Sequence, residues 1–198
     1  MKILVFLTCI ILLFGCHRAE CPGYSEEYLN WIPYKLGEGA SFTDGNDTLN
    51  LLVYETYKSG AYKQHSVWNM EIPCEINALA YISGDSNSHQ IRIDSESIPN
   101  EPDIFYNYAI SVNKNDWSAF SFYVKNHDIS AGPGRTPAQL LLSYYNGCKK
   151  YSNVLKLEMD TVNWLNPKMI YQIHIAETVG IIQFTETNNH KIWCLIGK

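Results

Sequence analysis

From about residue 49 onward, the apolar positions of this chain recur at every second residue, which is the period of a half-buried strand. Leu49, Leu51 and Val53 alternate with Asn50, Leu52 and Tyr54, behind the turn-rich Asp44-Gly45-Asn46-Asp47. A second strand is predicted over Met70 to Ile82, closed by Ser83-Gly84-Asp85-Ser86-Asn87-Ser88, and the next arm is Gln90 to Ile93. Tyr106, Tyr108, Ile110 and Val112 then share one face, as do Phe120, Phe122 and Val124. Ala131-Gly132-Pro133-Gly134-Arg135 reads as a loop, and Gln139 to Tyr145 as a strand ended by Asn146-Gly147. That dipeptide is the strongest short hairpin signal, suited to a type I′ turn, with Cys148 to Met159 as the returning arm. Met169 to Ile175, Ile181 to Thr185 and Lys191 to Ile196 complete the set, with a turn around Asn188-Asn189. The helix signal lies earlier, at Ser25-Glu26-Glu27-Tyr28-Leu29-Asn30-Trp31, where Ser25 can cap, two glutamates favour the first turn and Pro33 stops the run. The expected fold is mainly β: a single antiparallel β-sandwich or open half-barrel of about 8–10 strands with a short N-terminal helix.

The first residues follow a different pattern. After Met1-Lys2, an apolar run extends from Ile3 to Phe14, interrupted only by Thr8 and Cys9. One positive charge before roughly a dozen apolar residues fits a secretory signal peptide, and the run is shorter than the about 20 residues that span a bilayer. It ends in Leu13-Phe14-Gly15-Cys16, which resembles the lipobox of bacterial lipoproteins, although Phe14 is bulky for that position. The resemblance implies lipidation of Cys16, a membrane as partner through the anchor, and a mature chain beginning there. The boundaries expected are residues 1–15 as signal peptide, 16–24 as lipidated cysteine and tether, and 25–198 as one β-rich domain. No acidic residue follows Cys16 directly, so the expected address is the outer membrane of the cell envelope, on its periplasmic or cell-surface side.

Without residues 1–15 the chain loses only Lys2 of its 15 basic residues and keeps all 20 acidic ones, for a formal charge of −6. The charges are scattered and no basic run is present, which excludes nucleic acid as the expected partner. Beyond Cys9 and Cys16, four cysteines remain: Cys21, Cys74, Cys148 and Cys194. Export permits disulfides, and four cysteines can pair in three ways between which sequence does not choose. Cys74 also lies in register with Ile72, Ile76, Ala78 and Ile82, where a free thiol serves as a small hydrophobe.

Two stretches carry a family resemblance. One is Tyr28-Leu29-Asn30-Trp31-Ile32-Pro33-Tyr34-Lys35 with Gly37, Phe42 and Asp47-Thr48-Leu49. The other is Gly147 with Tyr151-Ser152-Asn153-Val154, then Val179-Gly180-Ile181-Ile182-Gln183-Phe184 and Trp193-Cys194-Leu195. Together they resemble small lipoproteins of Bacteroides-type bacteria, and the later strands are similar, more distantly, to the half-barrel of periplasmic lipoprotein carriers. The resemblance covers both ends and leaves residues 60 to 130 unmatched. It implies an exported β domain and supplies no reaction. The residues themselves admit structural roles: Gly180 can bend or bulge the chain between strands, Phe184 and Trp193 can face each other across the last hairpin, and Trp31, Pro33 and Tyr34 can plug one end of the sheet.

No catalytic, phosphate-binding or dinucleotide motif is present, and no cofactor or metal is expected. Asp44-Gly45-Asn46-Asp47 gathers oxygen atoms in a turn without the spacing or distal glutamate of a calcium loop. His127-Asp128 has the chemistry of a base and its orienter, but neighbours in a strand point to opposite faces. His174 falls on the polar side of Tyr171, Ile173 and Ile175 and is expected to be exposed. Exposed tyrosines can stack on sugars, with Tyr106, Tyr108, Tyr144, Tyr145 and Tyr151 as candidates. Three readings follow: a non-enzymatic binding or scaffolding lipoprotein, with an envelope glycan as one ligand class; a carrier holding an apolar ligand in a half-barrel; and a hydrolase of envelope polymers. The carrier needs an unfilled apolar concavity, and the hydrolase needs a convergent pair of carboxylates or of His and carboxylate. Oligomeric state is not legible.

Overall fold

The computed structural model describes residues 26–58, 62–63, 74–84, 89–97, 103–112, 117–125, 128–131, 138–159, 170–187 and 190–198. The expected signal peptide, Cys16, Cys21 and the expected tether lie outside them, as do residues 132–135, His127 and the expected Asn188-Asn189 turn. A 3-10 helix, Glu26–Trp31, stands where the helix was predicted and ends ahead of Pro33. Thirteen strands follow among the described residues: β1 Gly39–Thr43, β2 Thr48–Lys58, β3 Tyr62–Lys63, β4 Cys74–Gly84, β5 His89–Ser97, β6 Asp103–Val112, β7 Trp117–Lys125, β8 Asp128–Ala131, β9 Ala138–Tyr145, β10 Lys150–Glu158, β11 Ile170–Ala176, β12 Gly180–Glu186 and β13 Ile192–Gly197.

Twelve of them form one antiparallel sheet in the order β8-β7-β6-β5-β4-β2-β1-β13-β12-β11-β10-β9, with β3 a spur on β4. Two up-and-down meanders are joined where β1 pairs β13, with Phe42 opposite Leu195. The sheet curls until its end strands, β8 and β9, lie beside each other without a ladder. Bulges in the β1–β13, β2–β4 and β11–β12 ladders supply local curvature. The mainly β expectation holds, in the form of a nearly closed barrel. The strand number exceeds the expected 8–10 because β1, β3 and β8 are too short to show a period.

Alternation places Phe42, Leu51, Ile82, Ile93, Tyr106, Tyr108, Phe120, Phe122, Leu157 and Phe184 in the interior, each almost completely buried. The barrel is flattened. Ser118 at the start of β7 reaches β11 and accepts the Ile170 N–H at 3.0 Å. Phe122 is the aromatic centre, with ring centroids 5.0 Å from Tyr106, 5.9 Å from Tyr108 and 5.6 Å from Trp31. Tyr106 and Tyr108 are therefore not surface tyrosines, a correction to their candidacy for sugar stacking: they share their face with Ile110, and that face is the core.

One end is plugged as the sequence suggested. Trp31 is buried over Phe122, and its carbonyl accepts the Tyr108 hydroxyl. On the opposite wall the Asn30 carbonyl accepts the Thr178 N–H at 2.7 Å, and the Tyr34 hydroxyl accepts the Ile181 N–H at 2.8 Å. Gly180 makes this possible. Its φ is +92°, and a Cβ there would collide with the Tyr34 ring. Lys198 completes the plug, donating to the Pro33 and Val179 carbonyls at 2.6 and 2.9 Å.

The Asn146-Gly147 hairpin differs from its prediction. Tyr145 and Lys150 are its last pair, so residues 146–149 make a four-residue loop rather than a type I′ turn, with only Gly147 of the two at positive φ. Asn146 is occupied otherwise. Its Oδ1 accepts the Cys148 and Lys149 N–H groups at 2.9 and 2.8 Å, while its Nδ2 donates to the Ile182 carbonyl at 2.9 Å. The hairpin tip thus lies across the outer face of β11–β13. Asn153, in the middle of β10 with a φ of 51°, marks the bend between the tip and the part of β10 that pairs with β11.

This cover explains a second correction. His174 does point outward, but it is 2% exposed, because Tyr144 stacks on it at 4.2 Å and 12°. The Tyr144 hydroxyl continues to Gln183 Oε1 at 3.0 Å. A strand that alternates in sequence is here buried on both sides.

Candidate ligand-binding face

On the other side of the molecule, β2 and β4 to β7 present an outer face on which no described element packs. Its polar positions are those that alternate with the core residues. The register brings three strands into one line, Asp94 opposite Asn107 and Asn107 opposite Ser121. Arg92 Nε donates to Asp94 Oδ2 at 3.1 Å, Asn107 Nδ2 donates to the same carboxylate at 3.4 Å, and Ser121 Oγ donates to Asn107 Oδ1 at 3.3 Å. The result is a spine of oriented donors and acceptors, with the Arg92 and Asp94 side chains 49% and 31% exposed.

Aromatic pairs flank this spine. Tyr54 and Tyr81 stack at 5.9 Å on one side, with the Arg92 guanidinium 5.8 Å from the Tyr81 ring, and Tyr54 is half exposed. Phe105 and Tyr123 lie 5.2 Å apart on the other side. The two pairs are two strands apart across the sheet and four residues apart along it, a separation of about 16 Å from standard strand spacings. Apolar ring faces at both ends of a hydrogen-bonding line match a ligand that alternates C–H faces and hydroxyl groups.

Other chemistry-bearing groups are engaged internally. Asp44 Oδ1 accepts the Asn46 and Asp47 N–H groups, while its Oδ2 pairs with Lys191 at 2.7 Å. The Lys191 hydrogen bond, with the two N–H bonds beside it, holds the Asp44 carboxyl at about 2. The oxygen-rich turn is thereby a turn fastened to β13. Inside the barrel, at the end opposite the plug, His89 of β5 meets Glu186 of β12 at 3.4 Å, and Trp193 Nε1 donates to the same Oε1 at 2.7 Å. Burial pushes the Glu186 carboxyl up, but the His89 and Trp193 hydrogen bonds outweigh it and leave it below its ordinary value. Packed against the Phe184 and Trp193 rings, this pair braces two walls. Asp128, at the head of β8, is exposed opposite Lys125.

Of the remaining sugar-stacking candidates, Tyr144 is held on His174 and Tyr151 is half-buried under Lys149. Tyr145 is 64% exposed, with its hydroxyl bonded to the Gly147 carbonyl. The face described above was missed because its residues lie on separate strands, and only the register aligns them. No family model, curated protein or solved structure matches this chain. Among the described residues, no helix is long and apolar enough to cross a membrane.

Proposed function

We propose that this chain is a lipid-anchored, non-enzymatic binding module of the bacterial cell envelope that holds carbohydrate on the outer face of β2 and β4 to β7. The observation that carries the reading is the Arg92–Asp94–Asn107–Ser121 spine between the Tyr54–Tyr81 and Phe105–Tyr123 pairs. An apolar cargo would need room inside, whereas the space between the described strands is filled by Tyr106, Tyr108, Phe120, Phe122 and Phe184. The packed apolar interior also differs from the polar lumen of a membrane-spanning barrel. The anchor comes from the leader and its Gly15-Cys16 junction, which resembles a lipobox.

Two measurements test the proposal. Binding of the purified protein to envelope polysaccharides is expected to weaken at least tenfold in Tyr81→Ala and in Asp94→Ala, with unchanged unfolding midpoints; unchanged binding in both refutes the face. Labelled fatty acid is expected to enter the native chain and not Cys16→Ala, and equal labelling of both refutes the anchor.

A further inference from the structure

The hairpin tip carries a cysteine, and so does the strand that it covers. Cys194 lies on the outer side of β13 in line with Gln183, and its Sγ donates to the Asn146 carbonyl at 2.6 Å. A Cβ at Gly147 would stand 3.7 Å from that sulfur, so the loop backbone is in contact with it one residue before Cys148. The two thiols are neighbours, close enough for Cys148 to act on the ionisation of Cys194. Both line one shallow cleft of about 460 Å³, together with Tyr144, Asn146 and Gln183.

We infer that Cys148 and Cys194 form a disulfide that fastens the β9–β10 hairpin tip to β13. Among the described residues this cover is held by hydrogen bonds and the Tyr144–His174 stack, whereas a covalent link would hold it over His174 and Gln183 permanently. The exposures set the order of events. Cys148 is exposed and Cys194 half-covered, so the Cys148 thiolate attacks first, on the disulfide of an oxidising thiol-exchange partner. One partner thiolate leaves and a mixed disulfide forms. The Cys194 thiolate then attacks Cys148 Sγ and expels the second partner thiolate. Two cysteines are oxidised, the partner's disulfide is reduced to two thiols, and the two cysteine protons pass to solvent or to those leaving groups. Burial, with the neighbouring Cys148 sulfur adding to it, pushes the Cys194 thiol up to about 11, which suits the resolving role rather than the opening attack.

The inference rests on the exported reading only for the supply of oxidant, and the experiment separates the two. The full chain, with its own leader, is produced in an exporting bacterium, alkylated at harvest and mapped by mass spectrometry without reduction. A second sample is purified in reductant and then exposed to oxidised glutathione. The expected product is a peptide pair linking Cys148 to Cys194, about 2 Da lighter than the two thiols. Reduction is expected to lower the unfolding midpoint by roughly 5–10 °C, and Cys148→Ser is expected to abolish that difference. A link found only after glutathione supports the pairing and counts against export. Free thiols at both positions after glutathione, or a link from either to Cys21 or Cys74, overturn the inference.

Discussion

Lowering the pH from 7.5 to 5 should destabilise this protein through one residue, His174. Its ring lies between β11 and the hairpin tip, stacked on Tyr144, and its Nδ1 has no hydrogen-bond partner among the described residues. Burial, reinforced by the Lys156 ammonium group, holds the imidazole at about 4 against an ordinary 6.5, while Glu158 opposes the shift weakly. The unfolded chain therefore takes up a proton near pH 6.5 and the folded chain does not until about pH 4. Stability contributed by the neutral ring is complete above 6.5 and declines as the pH falls through that window. Linkage between these two values gives a loss of about 2 kcal/mol between pH 7.5 and 5, approaching about 3 kcal/mol near pH 4. Urea unfolding at both pH values, in reductant throughout, measures the loss. His174→Phe keeps the stacked ring and removes the titration, so its loss over the same range should be smaller than the native one by about 2 kcal/mol. The comparison subtracts the other histidines, and stopping at pH 5 keeps the lowered carboxyls of Glu158 and Glu186 ionised. An identical pH dependence in native and His174→Phe proteins would refute the reasoning.

The plug and the hairpin give further expectations. Gly180→Ala places a side chain at φ +92° against Tyr34 and should cost at least about 2 kcal/mol, seen as a lower urea midpoint. Tyr34→Phe leaves the Ile181 N–H without its acceptor and should cost about 1–3 kcal/mol, with faster amide exchange at Ile181. Asn146→Ala removes the bonds to Ile182, Cys148 and Lys149 together; amide exchange at residues 147–150 should rise sharply while β4 to β7 remain protected.

How far the sequence could be read depends on which contacts are local. Alternation is a local property, and it located β2, β4 to β7 and β9 to β13, with a shared apolar face in β2, β4, β6, β7 and β11. It failed at Gly39-Ala-Ser-Phe-Thr, where two apolar residues do not make a period, and at the two-residue β3. His174 shows the deeper limit. The period put it on the outer face correctly, but no period reveals that a hairpin from residues 144–150 folds back over that face. The same holds for Cys148 and Cys194, separated along the chain and joined by that fold-back, and for Asp94, Asn107 and Ser121, which become one line only through register. Tyr106 and Tyr108 were legible in principle, since they alternate with Asn107 and share their face with Ile110.

The motif-bearing segments near the two ends, residues 28–49 and 147–195, converge in space, and what they build there is closure of the barrel. Tyr34 meets Gly180 and Ile181, Asn30 and Asn153 both hydrogen-bond Glu177 at the β11–β12 turn, and Phe184 faces Trp193 beside the His89–Glu186 brace. The proposed binding face lies elsewhere, on β2 and β4 to β7, most of it between residues 60 and 130. A scaffold held by its ends leaves the middle strands' outer positions free of folding constraints, because those side chains touch mainly one another and water. This division makes a prediction. Replacing Tyr81, Arg92 and Asp94 together should move the thermal midpoint by no more than a few degrees, since surface polar positions each contribute within about 0.5 kcal/mol and a half-buried outward tyrosine about 1 kcal/mol. Replacing Trp31 by alanine should lower it by roughly 10 °C, from the about 3–5 kcal/mol that a buried tryptophan contributes. Calorimetry on both variants decides the matter. A triple variant as damaged as Trp31→Ala would mean that the outer face is part of the folding machinery, and the case for it as a ligand surface would fall.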